Sequence, residues 1–369
     1  MVLIDDDLWR GAGPLPRLGD LSAGRDNNLN LIRTLAATGV LVSHAWPIAL
    51  GRGTPEPLGH LTGFSLGGLC VILFFAVSGF LIAGSWERRP DPWRFVLARG
   101  LRLVPGLAAS LVLVALVMGP LVAGRSLPDY AADPAVQSFL VRNLTLLSPQ
   151  YTLPGVFETN PYPAVEGSIW TLVHEALCYA GVLVGGVLGL TAPRRLPALL
   201  GAFAALWFGL AAADVLPDRA GALHALSFAF AVGMAAWSLR HVLPLSGAAA
   251  FGGIGIALLV SRADPEGGTA ARAAWSLALV YAALWAAYVP AGPVRAFNRI
   301  GDYSYGIYVY AFPVQGLAVW LFGPQTPWAN VALSLAMTVP LAILSWHMVE
   351  RPALSLMNLR RRGIAGRPT

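Results

Sequence analysis

The fold class this sequence predicts is all-α: a polytopic membrane bundle of about ten transmembrane helices, with both termini in the cytoplasm. Three observations predict it. Of the 369 residues, 56% are apolar and only 12% charged, where a soluble surface carries about a quarter charged residues. The apolar residues fall in blocks of about twenty, enough to cross about 30 Å of hydrocarbon at about 1.5 Å per residue. The basic residues are distributed unevenly between alternate connections, as they are when one side of a membrane holds them back.

Taken in order, the spans are 29–50, 64–84, 101–123, 169–189, 195–215, 222–239, 242–261, 271–290, 303–322 and 328–349. The region 222–261 also reads as one re-entrant element. Summed over alternate connections, one side holds eighteen arginines and the other six, with Arg33 inside a span. That bias assigns the termini to the cytoplasmic side. The parts are then a cytoplasmic segment over 1–28, a membrane domain over 29–350 and a basic tail over 351–369. The acidic start, MVLIDDDLWRGAGPLPRLGD, lacks the basic and apolar regions of a cleavable signal peptide.

All 25 basic residues are arginine, which with the Ala, Gly and Pro richness fits a GC-rich bacterial genome and a multi-pass protein of the bacterial cytoplasmic (inner) membrane. The net charge of +6 belongs to this topology and is not a nucleic-acid signal. Cys70 and Cys178 both fall in apolar segments, so no disulfide framework is expected. Nothing points to a metal. Homo-oligomerisation stays open.

Charged side chains within hydrocarbon are expensive and usually face a cavity or a partner. Arg33 and His44 are eleven residues apart, which puts them on one helix face about 16 Å apart along the axis. The competing reading has Arg33 snorkelling to the interface and His44 in a structural hydrogen bond. In the fourth span, GSIWTLVHEALCYAGV, Glu175 sits at the same depth as His44, so a carboxylate is available to orient the imidazole as a general base. A structural His–Glu ion pair is the alternative. Tyr179 lies one turn deeper on the Glu175 face, and His174 points about 100° away.

At the other end gather Arg33, the run RFVLARGLRLVP with Arg99 and Arg102, and DYSYG with Tyr305. Guanidinium forks there suit the phosphates of an anionic cofactor; plain positive-inside topology is the other explanation. The second span holds FFAVSGF, whose Ser78 and Gly79 allow close approach of a helix or a ligand. Ser78 has no base at its depth and is not expected to be a nucleophile. The loop 124–168, rich in Pro, Asn and aromatic residues, is a functional or partly inserted loop.

Together these elements resemble the acyltransferase-3 family of integral membrane acyltransferases. The resemblance rests on Arg33 to His44; on Phe74, Phe75, Ser78, Gly79 and Phe80; on Arg99, Arg102 and Pro105; on EGSIWTLVHEALCY with Trp170, Glu175 and Tyr179; on Gly301 to Tyr310; and on Ser345, Glu350 and Pro352. Two positions depart from the family pattern: Glu166 replaces a usual asparagine, and Ala311 replaces a common histidine. The resemblance implies O-acyl transfer, commonly of acetyl from acetyl-CoA or another acyl-CoA, to a glycan, lipid-linked sugar or natural-product hydroxyl. His44 and Glu175 would be catalytic. Arg33, Arg99, Arg102, Ser78 and Tyr305 would hold the donor, and Trp170, Tyr179 and Glu166 the acceptor. Direct transfer and an acyl-histidine intermediate both stay open. A proton-coupled transporter using the His44–Glu175 pair as a relay is the rival, although the inverted repeats it predicts are not evident.

Overall fold

A computed structural model describes residues 15–24 and 26–357, and its regular structure is helical, with one isolated bridge between Arg17 and Pro244. The helices that build the bundle are α1 (Leu29–Leu50), α2 (Leu66–Arg88), α3 (Pro92–Ala123), α4 (Pro134–Thr145), α5 (Trp170–Val187), α6 (Leu196–Ala213), α7 (Asp218–Ser238), α8 (Gly247–Ala263), α9 (Thr269–Tyr288), α10 (Ser304–Phe322) and α11 (Pro327–Met357). Their starts follow from local chemistry. Ser65, Asp91, Asp133 and Thr326 each accept a hydrogen bond from a first-turn amide, and proline follows the last three, where its missing N–H costs nothing.

Eight of the helices are long and apolar enough to cross a membrane, so the chain is a multi-pass membrane protein. The other two predicted spans are α1 and α8. At 17 residues α8 is short, while α1 dilutes its apolar content with Asn30, Arg33, Thr34, Ser43 and His44 and packs against α2, α10 and α11. The region 222–261 is thus two helices.

Several predicted boundaries change. The third span begins at Pro92, so Arg94, Arg99 and Arg102 lie within the helix instead of leading into it. The loop 124–168 contains helix α4. Helix α11 runs through the predicted start of the tail to Met357, and the rest of that basic tail, 358–369, lies outside the described residues, as do 1–14 and Arg25. The end of the N-terminal segment is docked: Leu18 is fully buried, and its amide donates to the Leu243 carbonyl at 2.9 Å.

Two seams fix the frame around the site. Where α2 crosses α7, a side chain at Gly79 would run into the Phe230 carbonyl, and one at Gly233 into that of Ala76. The Ser-Gly pair of the second span therefore permits a helix crossing at Gly79. Across α1, α10 and α11, the buried Gln315 side chain donates to the Leu41 carbonyl at 2.9 Å and to the Asn330 amide oxygen at 3.0 Å. Ala311 packs beside this seam with Leu41, Ala45 and Val331.

Candidate active site

Three cavities follow one another through the bundle. The first, of about 460 Å³, is lined by His44, Glu56, Phe64, Trp170, Arg272 and Tyr308, among others. A neck of about 50 Å³ shares Val71, Thr171 and Tyr308 with it. Beyond the neck a cavity of about 270 Å³ contains Ser78, Arg99, Arg102 and Tyr179, and shares Arg33, Phe74, Glu175 and Tyr305 with the neck. Helix α1 therefore carries His44 in one cavity and Arg33 in the other, on the face that their spacing predicts.

At the histidine end, polar groups face open space. The His44 ring packs edge-on against Phe312 at 5.3 Å between centroids, and its nitrogens have no hydrogen-bond partner among the described residues. Glu56 reaches this cavity from the loop 51–65, where its carboxylate accepts a hydrogen bond from Ser43. Glycines position that loop. Gly63 and Gly267 both have positive φ, of 72° and 67°, and a Cβ on Gly63 would lie 2.7 Å from the Gly267 amide nitrogen. Arg272 stands over the Phe64 ring at 5.1 Å and donates to the Gly267 carbonyl at 3.2 Å. Neither Glu56 nor Arg272 was singled out from the sequence; a glycine-flanked acid in the loop after the histidine span is the available signal.

At the arginine end, charges largely satisfy one another. Asp302 Oδ2 accepts from Arg33 at 2.5 Å and from Arg102 at 2.6 Å, while its Oδ1 accepts from Ser304 at 2.5 Å. Burial alone would raise this carboxyl, but Arg102, Arg33 and Ser304 bring it down to about 2. Glu350 adds a second carboxylate 3.8 Å from Arg102 and accepts from Ser345 at 2.9 Å. It sits on a π turn, Trp346–Glu350, and such turns re-aim side chains within an otherwise regular helix. Arg99 differs from its neighbours. It makes no ion pair among the described residues, its Nε is buried without a hydrogen-bond partner, and its guanidinium lies 5.8 Å from the Tyr179 ring centroid.

The predicted His44–Glu175 pair does not form. Glu175 belongs to the arginine side, where its Oε1 accepts from Tyr179 and, at 3.2 Å, from Ser78. Glu175 turns along its own helix toward Tyr179 and toward α2, into the cavities that contain Arg33. The relay reading used the same pair and loses it too. Tyr179, assigned to the acceptor, lines the arginine cavity instead. Glu166 is 1% exposed and lines none of the three cavities. Its Oε2 has no hydrogen-bond partner among the described residues, and burial pushes its carboxyl well above the usual carboxylate range. Trp170 does line the His44 cavity. Tyr305 lines the neck and the arginine cavity, but its hydroxyl is already used, donating to the Leu103 carbonyl at 2.7 Å. His174 Nδ1 donates to the Trp170 carbonyl at 2.8 Å. Among the described residues no group of three or more His, Cys, Asp or Glu side chains gathers as a metal site would require.

Comparison with known proteins agrees with this architecture. A family model described as an acyltransferase domain, acyltransferase-3, matches residues 26–347. The chain belongs to that family and is a membrane acyltransferase. It is 26% identical over 352 residues to a protein of Shigella phage Sf6 named O-acetyl transferase, covering 90% of this chain and 97% of the phage protein. It is also 26% identical over 391 residues to nodulation protein 10 of Rhizobium leguminosarum bv. viciae, covering 91% of this chain and 95% of that protein. No solved structure matches.

Proposed function

We propose that this acyltransferase moves an acetyl group from acetyl-CoA, bound in the arginine cavity, to a hydroxyl of a glycan, lipid-linked sugar or natural product in the His44 cavity. The observation that carries this reading is the chain of cavities, with, among the described residues, a guanidinium lacking an ion-pair partner at one end and an imidazole without a hydrogen-bond partner at the other. The acyl group itself is suggested by the name of the phage relative. The arginine excess favours a cytoplasmic donor side, cytoplasmic termini and residence in the bacterial inner membrane.

In this reading Arg99 is the principal phosphate ligand, because Arg33 and Arg102 already hold Asp302. The donor's pantetheine arm then runs toward His44. An extended arm is comparable in length to the helix rise of about 16 Å between Arg33 and His44. Neutral His44 takes the proton of the acceptor hydroxyl as its oxygen attacks the thioester carbonyl carbon. The C–S bond breaks, and the departing thiolate takes that proton back. Glu56, facing the same cavity, stabilises the transient imidazolium through space. Glu175, with Ser78 and Tyr179, shapes the donor wall.

The test is thiol release from acetyl-CoA by purified protein in liposomes. Release that requires acceptor on the lumen side and donor on the outside, or the reverse, is expected. Release indifferent to the acceptor's side, or none with a panel of sugars, would remove the two-sided reading.

A further inference from the structure

The His44 cavity is lined by charges of both signs, carried on different elements. Glu56 belongs to the histidine wall, because its carboxylate accepts from Ser43, the residue before His44. Arg272 enters from the first turns of α9. It makes no ion pair among the described residues, with Glu56 or with any other acid. Two arginines that the sequence puts on the same side of the membrane are placed differently: Arg125 is paired with Asp133 at 2.8 Å, and Arg262 is exposed. Within a membrane domain, an ionisable side chain that faces a cavity marks a functional site.

The structural duties of Arg272 are light. Of the five N–H groups that a guanidinium carries, one donates to the Gly267 carbonyl at 3.2 Å, and the group lies over the Phe64 ring. The corner it touches is held by other means. Asp264 accepts from the Gly268 amide at 3.1 Å and the Ala271 amide at 3.3 Å, and is thereby committed to the start of α9. The Ser261 hydroxyl donates to the Thr62 carbonyl at 2.9 Å, and Gly63 packs directly on Gly267. The cavity wall also leaves room for a ligand. Gly67, Gly68 and Gly221 line it without side chains, and a Cβ on Gly221 would meet nothing within 4 Å.

We infer that Arg272 binds an anionic group on the acceptor, a carboxylate or a phosphate, and so selects an acidic or phosphorylated sugar over a neutral one. This rests on the His44 cavity being the acceptor's, as proposed above. A guanidinium fork matches the paired oxygens of either anion. Glu56 supplies the orientation: the anion is drawn to Arg272 and repelled by the carboxylate, which leaves the hydroxyl end of the acceptor toward His44.

Affinities of methyl glucoside, methyl glucuronoside and glucosyl phosphate are measured by calorimetric titration of the purified protein in detergent. The proteins are the wild type, Arg272→Gln, Arg272→Lys and, as a control for anions seated at the other end of the passage, Arg99→Ala. The wild type is expected to bind one or both acids about tenfold or more tighter than the neutral glycoside, the factor for a charge-assisted contact. The better acid tells carboxylate from phosphate. Arg272→Gln is expected to abolish the preference, Arg272→Lys to keep part of it and Arg99→Ala to leave it unchanged. The acid-to-neutral ratio is taken within one preparation, so partial unfolding does not move it. Equal wild-type affinity for acids and neutral glycoside, no measurable binding of either acid, or a preference that survives Arg272→Gln or vanishes in Arg99→Ala overturns the inference. Thiol release from acetyl-CoA is followed with the same sugars. An acid that binds through Arg272 without thiol release overturns the acceptor reading of this cavity and leaves the anion site intact.

Discussion

The two ends of the passage treat charge in opposite ways. Around Arg33 and Arg102, carboxylates are already supplied by Asp302 and Glu350, while Arg99, in the same cavity, has no ion-pair partner among the described residues. Around His44 no ion pair forms among the described residues, and the imidazole, without a hydrogen-bond partner among them, faces a cavity of about 460 Å³ together with Glu56. A region whose charges cancel mainly holds the bundle together, and its leftover cation is the one available to a ligand. A region whose polar groups are left open is where a second reactant would complete the set. Buried polar groups ordinarily find partners, so the open groups carry the functional signal.

The comparison breaks most visibly at His44. Replacing it by alanine is expected to lower acyl transfer by about 10²–10⁴-fold, the range for loss of a general base, while acetyl-CoA affinity stays within about twofold. Arg99→Ala should do the reverse. Loss of a charge-assisted contact worth about 1.5–3 kcal/mol raises donor KM by about tenfold or more and spares kcat. Steady-state kinetics with a separate donor-binding titration checks both. If the two substitutions weaken donor binding equally, the division of labour between the ends is wrong.

Much of this layout is legible in the sequence, and the limits are physical. Helical period puts Arg33 and His44 on one face, and the structure keeps them there because α1 is regular over that stretch. The i to i+4 relation of Glu175 and Tyr179 is likewise retained as a hydrogen bond. Depth counted in residues, however, says nothing about how each helix is rotated, and Glu175 faces the cavities that contain Arg33 while His44 faces the other. Asp302 lay within a segment assigned to the arginine cluster, but a carboxylate shared by arginines 269 and 200 residues away requires the tertiary fold. Glu56 was hidden for another reason: a loop with glycines at positive φ, not a periodic element, carries it into the site.

Asp302→Asn sharpens the arginine end. Removing one partner of a buried ion pair costs about 3–5 kcal/mol because the remaining charges are stranded. A clear fall in melting temperature in detergent is expected. The carboxyl of Asp302 is held down to about 2, below the about 3.9 of an unfolded aspartate. Its stabilising contribution is thus present above about pH 4 and is lost as pH falls toward 2. An unchanged melting temperature in the variant would mean that the cluster is not structural.

Glu166 supplies the opposite case and the smallest expected effect. Burial raises its carboxyl well above the usual range and so favours the neutral acid, with which glutamine is close to isosteric. Near pH 5, Glu166→Gln is expected to change stability by about 1 kcal/mol, the ordinary size of a single substitution and below that of Asp302→Asn. The sign of the pH dependence separates it from Asp302. A raised carboxyl gives stability that is complete below about 4.3, the unfolded value, and declines as pH rises toward its folded value. The wild type should therefore lose stability relative to Glu166→Gln on going from pH 5 to pH 8, where Asp302 contributes no slope. Because Glu166 lines none of the three cavities, acceptor preference should be the same in both proteins. A variant that melts alike but changes acceptor would return Glu166 to the acceptor site, and a wild type that gains stability relative to Glu166→Gln as pH rises would show that the buried carboxyl is charged.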